Sequence, residues 1–301
     1  MSLTVAYSLE IKDYVDAELA YELFWTGTIK DKKAFKCPDP NCDSDVTCAN
    51  MDIATDNLKQ SPHFRAFNHS QECTILIQQN NSISGKGAKL NTVRDNTDEL
   101  LLTRPLYNVK EKSNVIEEDT TSYRKRITTS IIAGTYTPRY FTIRSLVAKF
   151  IHLRQIKGAE EHFVKIGKDK ISYKDLFIGI YNQSFENLPD EKRIYWGLAY
   201  YNRNENIHTY NLRFEKEFSL ESQNIRPSIF ISDIQLQQYH SSILEKRIKF
   251  ISQMPKPKAF VFVYGTPVLN QKDDKVYINF KVDNLDLIDI KDLSFFDELR
   301  K

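Results

Sequence analysis

All four cysteines and two of the six histidines crowd into one short span: Phe35-Lys-Cys37-Pro-Asp-Pro-Asn-Cys42, then Cys48, then Pro62-His63-Phe-Arg-Ala-Phe-Asn-His69-Ser-Gln-Glu-Cys73. Thiolate and imidazole are the donors that zinc takes at the corners of a tetrahedron. A C-x4-C turn offers Cys37 and Cys42 to one ion. The H-x3-C step returns His69 and Cys73, which one helical turn brings to the same side. Zinc is therefore the expected cofactor, with Cys37, Cys42, His69 and Cys73 as its ligands. Cys48, in Asp-Val-Thr-Cys-Ala, reads as a small buried strand residue, and His63 as a loop-fixing or supporting group; both remain competitors for a coordination position. Four protein ligands close the sphere, whereas catalytic zinc keeps a place for water, so the metal is expected to fold the segment. A disulfide framework is disfavoured, because no cysteine follows Cys73 in the 301-residue chain.

The segment from Phe35 to Cys73 resembles the zinc-binding N-terminal domain of competence protein CoiA-like families. Pro62-His63-Phe64 and His69-x3-Cys73 carry the likeness most specifically; the first knuckle, C-x4-C, is looser than that family's usual form. The resemblance implies zinc ligation by Cys37, Cys42, His69 and Cys73. It also implies DNA processing, since such proteins often add a nuclease domain of the PD-(D/E)xK type.

A nuclease of that kind needs carboxylates converging on magnesium beside a lysine. Pro189-Asp190-Glu191-Lys192 compresses the motif into one turn, Asp273-Asp274-Lys275 sits in a polar loop, and Glu215-Lys216-Glu217 closes a strand. Each reads as a solvated turn. Phosphate-loop, nucleophile-elbow, H-E-x-x-H and dinucleotide-binding signatures are absent. His152, His162, His208 and His240 are scattered, without partners visible in the sequence.

These residues must be positioned by elements the pattern also suggests. The expected class is α+β: a small zinc-ribbon-like module over residues 1–79, a polar linker or extended loop over 80–136, and a mixed, β-rich domain over 137–301. In the module, Ala17, Leu19, Ala20, Leu23 and Phe24 give Asp16–Trp25 a helical spacing. The linker is sparse in apolar residues and carries the basic Arg124-Lys125-Arg126, which reads as a solvated face. Beyond Pro138, Ile143, Leu146, Val147, Phe150 and Ile151 share a helix face. Segments 194–201 and 208–214 read as a hairpin and 227–231 as a third strand. Ser232 and Gln235 have capping-box spacing for a helix ending before Pro255. Segments 258–264 and 275–282 complete the order β-β-β-α-β-β, which is that of an OB-like barrel.

Composition narrows the function. The 42 basic and 40 acidic residues leave a net charge of +2, so any polyanion surface must come from local segregation of charge. No apolar run is long enough to span a membrane. The opening residues lack a basic stretch before an apolar one, and a cytosolic protein is expected. Single-stranded nucleic acid is held by aromatic faces and cations. On the expected strands Tyr195, Tyr201, Tyr210, Arg213, Tyr264, Tyr277 and Lys281 supply both. The leading expectation is a noncatalytic nucleic-acid-binding protein with a structural zinc site, DNA ahead of RNA. A CoiA-like nuclease with a degenerate motif and a protein-interaction adaptor are its rivals.

Overall fold

Buried residues recur on alternate strand positions and on single helix stripes, and they assemble a mixed α+β protein. The computed structural model describes residues 2–3, 5–53, 62–77, 96–103, 137–221, 223–238, 242–272, 275–282, 284–293 and 295. Most of the expected linker, including Arg124-Lys125-Arg126, lies outside the described residues, as do Asp273 and Asp274. The chain divides into two compact units, Met1–Glu99 with Thr103–Tyr140, and Leu100–Leu102 with Phe141–Lys301. No helix among the described residues is long and apolar enough to cross a membrane.

The first unit is built on a six-stranded sheet from β1 (Ser2–Leu3), β2 (Val5–Ser8), β3 (Asp13–Asp16), β4 (Phe35–Lys36), β5 (Asp45–Ala49) and β6 (His63–Ala66). Its order is β1-β6-β5-β4-β2-β3, antiparallel throughout. Helix α1 (Ala17–Trp25) begins where Asp16 accepts the amide of Leu19 at 2.8 Å, an N-cap bond. It ends at Thr26, and Gly27 then adopts φ +77°, a conformation glycine takes without a Cβ penalty. Leu19, Ala20 and Leu23 bury its inner face. Phe35 of β4 and Phe64 of β6 pack at 5.2 Å between centroids, across the intervening β5. Trp25 Nε1 and the Tyr21 hydroxyl donate to the carbonyls of Met51 and Ile53, fastening the chain after β5. Two further short strands are β7 (Thr97–Leu100) and β8 (Arg139–Tyr140).

In the second unit, α2 (Ile143–Gln155) matches the expected apolar stripe, with Ile143, Leu146, Val147, Phe150 and Ile151 buried. A hairpin, β9 (Phe163–Ile166) and β10 (Asp169–Ser172), leads to the short α3 (Tyr173–Leu176). The main sheet contains β11 (Phe177–Gly179), β13 (Arg193–Asn204), β14 (Thr209–Phe214), β17 (Ser228–Ser232), β18 (Lys258–Gly265), β19 (Pro267–Lys272), β20 (Lys275–Phe280) and β21 (Ile288–Lys291). A smaller sheet joins β12 (Gln183–Ser184), β15 (Phe218–Leu220) and β16 (Gln223–Ile225). Helices α4 (Asp233–Gln238) and α5 (Ser242–Ser252) follow β17. The capping box forms as spaced: the Ser232 amide donates to Gln235 Oε1 at 2.9 Å, and the Gln235 amide to Ser232 Oγ at 3.2 Å.

The expected barrel is corrected. The sheet order is β19-β20-β17-β14-β13-β18-β21, with β11 added parallel to β13, and no sheet closes. The reason lies in the 267–272 segment, which falls outside every strand the sequence pattern suggests. It forms β19 against β20 and occupies the edge a closing strand would need, while β17 and β20 run parallel. Along β13, Tyr195, Ala199 and Tyr201 face the core that includes Leu244, Ile248 and Ile251 of α5. Trp196 points the other way, to Phe150 of α2 and to Phe262 of β18 at 6.2 and 5.8 Å. Strand β18 is buried on both faces, hence its unbroken apolar run Ala259–Tyr264.

Candidate metal centre

Cys37 leaves the end of β4, and its amide donates to Ser44 O at 2.9 Å, closing the knuckle that contains Cys42. Cys73 caps residues 74–77, which are helical, and the Ile77 amide donates to Cys73 O at 3.0 Å. His69 precedes Cys73 on a non-helical turn, in which the Cys73 amide donates to Ser70 O at 3.1 Å; this turn, and not the helical turn expected, brings the two together. These two pieces bring Cys37, Cys42, His69 and Cys73 together, with every ligand atom within 4.8 Å of every other. Cys37 Sγ lies 3.9 Å from Cys73 Sγ, and His69 Nδ1 lies 3.3 Å from both Cys42 Sγ and Cys73 Sγ. A tetrahedral ion with metal–sulfur bonds of about 2.3 Å has sulfur–sulfur edges of about 3.8 Å. The donor set and its spacing therefore fit one tetrahedral metal ion, held by three thiolates and one imidazole.

Burial pushes the thiols of Cys37 and Cys73 up, and the like charges of neighbouring thiols add to it. At Cys42 burial acts the same way, but hydrogen bonds from the Ser44 and Ser70 amides outweigh it and the thiol is lowered. The Asp39 and Leu76 amides similarly favour the thiolates of Cys37 and Cys73. A bound cation deprotonates a coordinating thiol outright. Burial lowers His69, keeping its ring in the neutral form that ligates.

Asp39 ties the two pieces together, a role the sequence did not suggest. Its carboxylate accepts the Asn41 amide at 2.9 Å inside the knuckle, and both the amide and the hydroxyl of Thr74 across the centre, at 2.6 and 2.5 Å. Burial opposes ionisation, yet these bonds, the Thr74 hydroxyl first, hold the carboxyl below its ordinary range. Ser44 and Ser70 add further staples, donating to Phe67 O and Asn41 O at 2.6 and 2.9 Å.

The two competing ligands stand apart from this group. Cys48 is fully buried in β5, opposite Phe64. His63 lies on β6, where its Nε2 accepts from Arg65 Nε at 2.8 Å. Neither belongs to the convergent group, and among the described residues no other set of three or more His, Cys, Asp or Glu side chains converges in this way. Of the carboxylates considered for magnesium, Glu191, Glu215 and Glu217 pair instead with Arg193, Lys258 and Arg226.

The seven aromatic and basic residues of the second unit separate. Tyr195, Tyr201 and Tyr264 are buried, packed as sheet residues whose rings offer no face to a base, which corrects the expectation for those three. Tyr210 stacks beside Tyr201 at 5.7 Å, on the side of the sheet that α5 covers, and takes the Arg203 guanidinium over its ring. Arg213 and Tyr277 share the opposite, open side, and Lys281 is exposed just past β20. Phe230, 43% exposed beside them, went unnoticed because it sits between two buried isoleucines in β17. No protein-family model matches the chain, and no curated protein matches it.

Proposed function

We propose that Cys37, Cys42, His69 and Cys73 hold a single structural zinc ion, and that the protein binds nucleic acid, DNA in preference to RNA, without catalysing its cleavage. The convergence of three sulfurs and one imidazole nitrogen within 4.8 Å carries the zinc part of this reading. Three thiolates and an imidazole select zinc over the hard cations, and four protein donors leave no coordination position for water. The centre acts as a zinc-ribbon-like clasp, one knuckle from the β4–β5 turn and one return from the segment after β6. A relationship to the zinc-binding N-terminal domain of CoiA-like proteins belongs to the same reading, supported by Pro62-His63-Phe64, His69 and Cys73. Four free thiols suit a reducing compartment such as the cytoplasm.

Nucleic-acid binding is supported by the cations and exposed rings on the open sheet face, since overall charge is near balance. The test is binding of labelled DNA and RNA to the zinc-loaded protein over a range of salt. Affinity that falls linearly on logarithmic axes with salt, with DNA ahead of RNA, supports the reading. Absence of binding at the lowest salt refutes it and favours the adaptor.

A further inference from the structure

On the face of the main sheet opposite α5, strands β14, β17 and β20 turn their polar sides outward with no helix laid over them among the described residues. Strand alternation puts Leu212, Phe214, Ile229, Ile231, Ile278 and Phe280 into the core, so Asn211, Arg213, Phe230, Tyr277 and Asn279 must face the other way. The β15–β16 hairpin rises along one side, and the result is a groove of about 630 Å3. That volume is within the roughly 300–1,000 Å3 of clefts that take small organic ligands.

The chemistry of the lining is unusual for a bare sheet. Phe230 and Tyr277 are each 43% exposed. Because Ser228 stands opposite Asn279 in the parallel β17–β20 pair, Phe230 and Tyr277 are four residues apart in register on adjacent strands, or roughly 14 Å. Arg213, opposite Ser228 on the next strand, stands at a level between the two rings along the strand direction, and no carboxylate among the described residues pairs with it. Lys275 marks one end of the groove. Arg226 is held by Glu217 at 3.2 Å, so the lining has three cations against one carboxylate. Asn279, opposite Ser228, supplies an amide between the rings, and Asn211 stands opposite Phe230 with its buried Oδ1 lacking a hydrogen-bond partner among the described residues. Tyr200, on the neighbouring strand, is already capped by Lys258 at 4.3 Å and is not counted.

We infer that this groove is a binding site for an unpaired nucleic-acid strand, with Phe230 and Tyr277 stacking on two non-adjacent bases, Arg213 and Lys275 meeting phosphates, and Asn211 and Asn279 bonding base edges. A duplex hides both the base faces and the pairing edges that these groups would need, whereas a single strand presents them. The excess of cations suits a polyanion and disfavours an acidic-poor extended peptide as the occupant. The inference rests on the nucleic-acid reading above and deepens it.

The test is fluorescence anisotropy on the full chain with a labelled oligo-dT 12-mer, the same length of duplex DNA, and an uncharged extended peptide. The single strand should bind at least tenfold more tightly than the duplex. Phe230→Ala and Tyr277→Ala should each weaken it by about 5-fold to 150-fold, the range that one stacked base represents. Tyr277→Phe, which keeps the ring, should stay within threefold of the parent protein. Equal affinity for duplex, or single-strand binding untouched by both alanine variants, overturns the groove assignment while leaving nucleic-acid binding standing. Binding of the peptide in place of the oligonucleotide, or of neither, overturns both.

Discussion

Replacing Asp39 with alanine isolates the link between the two halves of the centre. The side chain is 1% exposed and accepts three hydrogen bonds, two from backbone amides and one from the Thr74 hydroxyl. A hydrogen bond to a charged group contributes about 1.5–3 kcal/mol, but Asn41 and Thr74 are themselves exposed, so their donors regain water in part when the acceptor is removed. Because the three bonds share one carboxylate and are not additive, Asp39→Ala should cost about 2–3 kcal/mol. Thr74→Val removes only the hydroxyl bond and should cost about 1–2 kcal/mol. The metal should feel the same loss, since groups that orient ligands typically alter affinity by about 10–100-fold. The chain has two tryptophans, Trp25 in the first unit and Trp196 in the second. Urea unfolding in a Trp196→Phe background therefore reads the first unit through Trp25, and competition with a chromophoric chelator reads zinc affinity. An Asp39→Ala protein with an unchanged midpoint and zinc affinity within twofold would refute the assignment of Asp39 as the tie.

Three further perturbations follow from other buried groups. Burial, reinforced by Glu18, raises Asp16 to about 8, so the folded state holds its proton more tightly than the unfolded chain. Its contribution is greatest below the ordinary carboxylate range and is lost as pH rises toward 8, by up to about 1.4 kcal/mol per unit. Asp16→Asn keeps an N-cap and should gain on the parent steadily between pH 4 and 8; parallel stability profiles of the two proteins would contradict this. Arg247 on α5 pairs with Asp289 on β21, with side chains 6% and 2% exposed, and Lys291 stands 3.5 Å from the same carboxylate. Arg247→Met should cost about 3–5 kcal/mol in urea unfolding; a single-variant cost below about 1 kcal/mol would show the pair is not buried as described. Cys48 packs in the core outside the ligand group, so Cys48→Ala should reduce stability by about 1 kcal/mol and leave metal stoichiometry unchanged; loss of metal in that variant would make Cys48 a ligand.

What could be read from sequence was local. The helical spacing of Ala17, Leu19, Ala20, Leu23 and Phe24, the Ser232–Gln235 box and the stripe of Ile143, Leu146, Val147, Phe150 and Ile151 act within a few turns, and all three form. The ligand set was readable because each pair is bridged by a few residues and thiolate and imidazole share one preferred ion. Strand order was not, since the parallel β17–β20 pairing joins residues some fifty positions apart in sequence and leaves no periodic trace. The 267–272 segment lacks alternation and opens on Pro267, which an edge strand tolerates at its first position. Tyrosine at 195, 201 and 264 favours strands whichever way it points, and only tertiary packing, such as that of Phe218 and Phe280 on Tyr195, decides that these rings are covered. Asp39, between two prolines, reads as a turn residue; its bond to Thr74 crosses 35 positions.

The most direct check is elemental analysis of untagged protein purified without added metal, paired with thermal melting before and after chelation. One zinc per chain, released together with the loss of the Trp25 signal and absent from Cys42→Ser, is the expected result. Protein that carries no stoichiometric metal, and melts identically after exhaustive chelation, would contradict a folded unit built around the thiolate and imidazole donors.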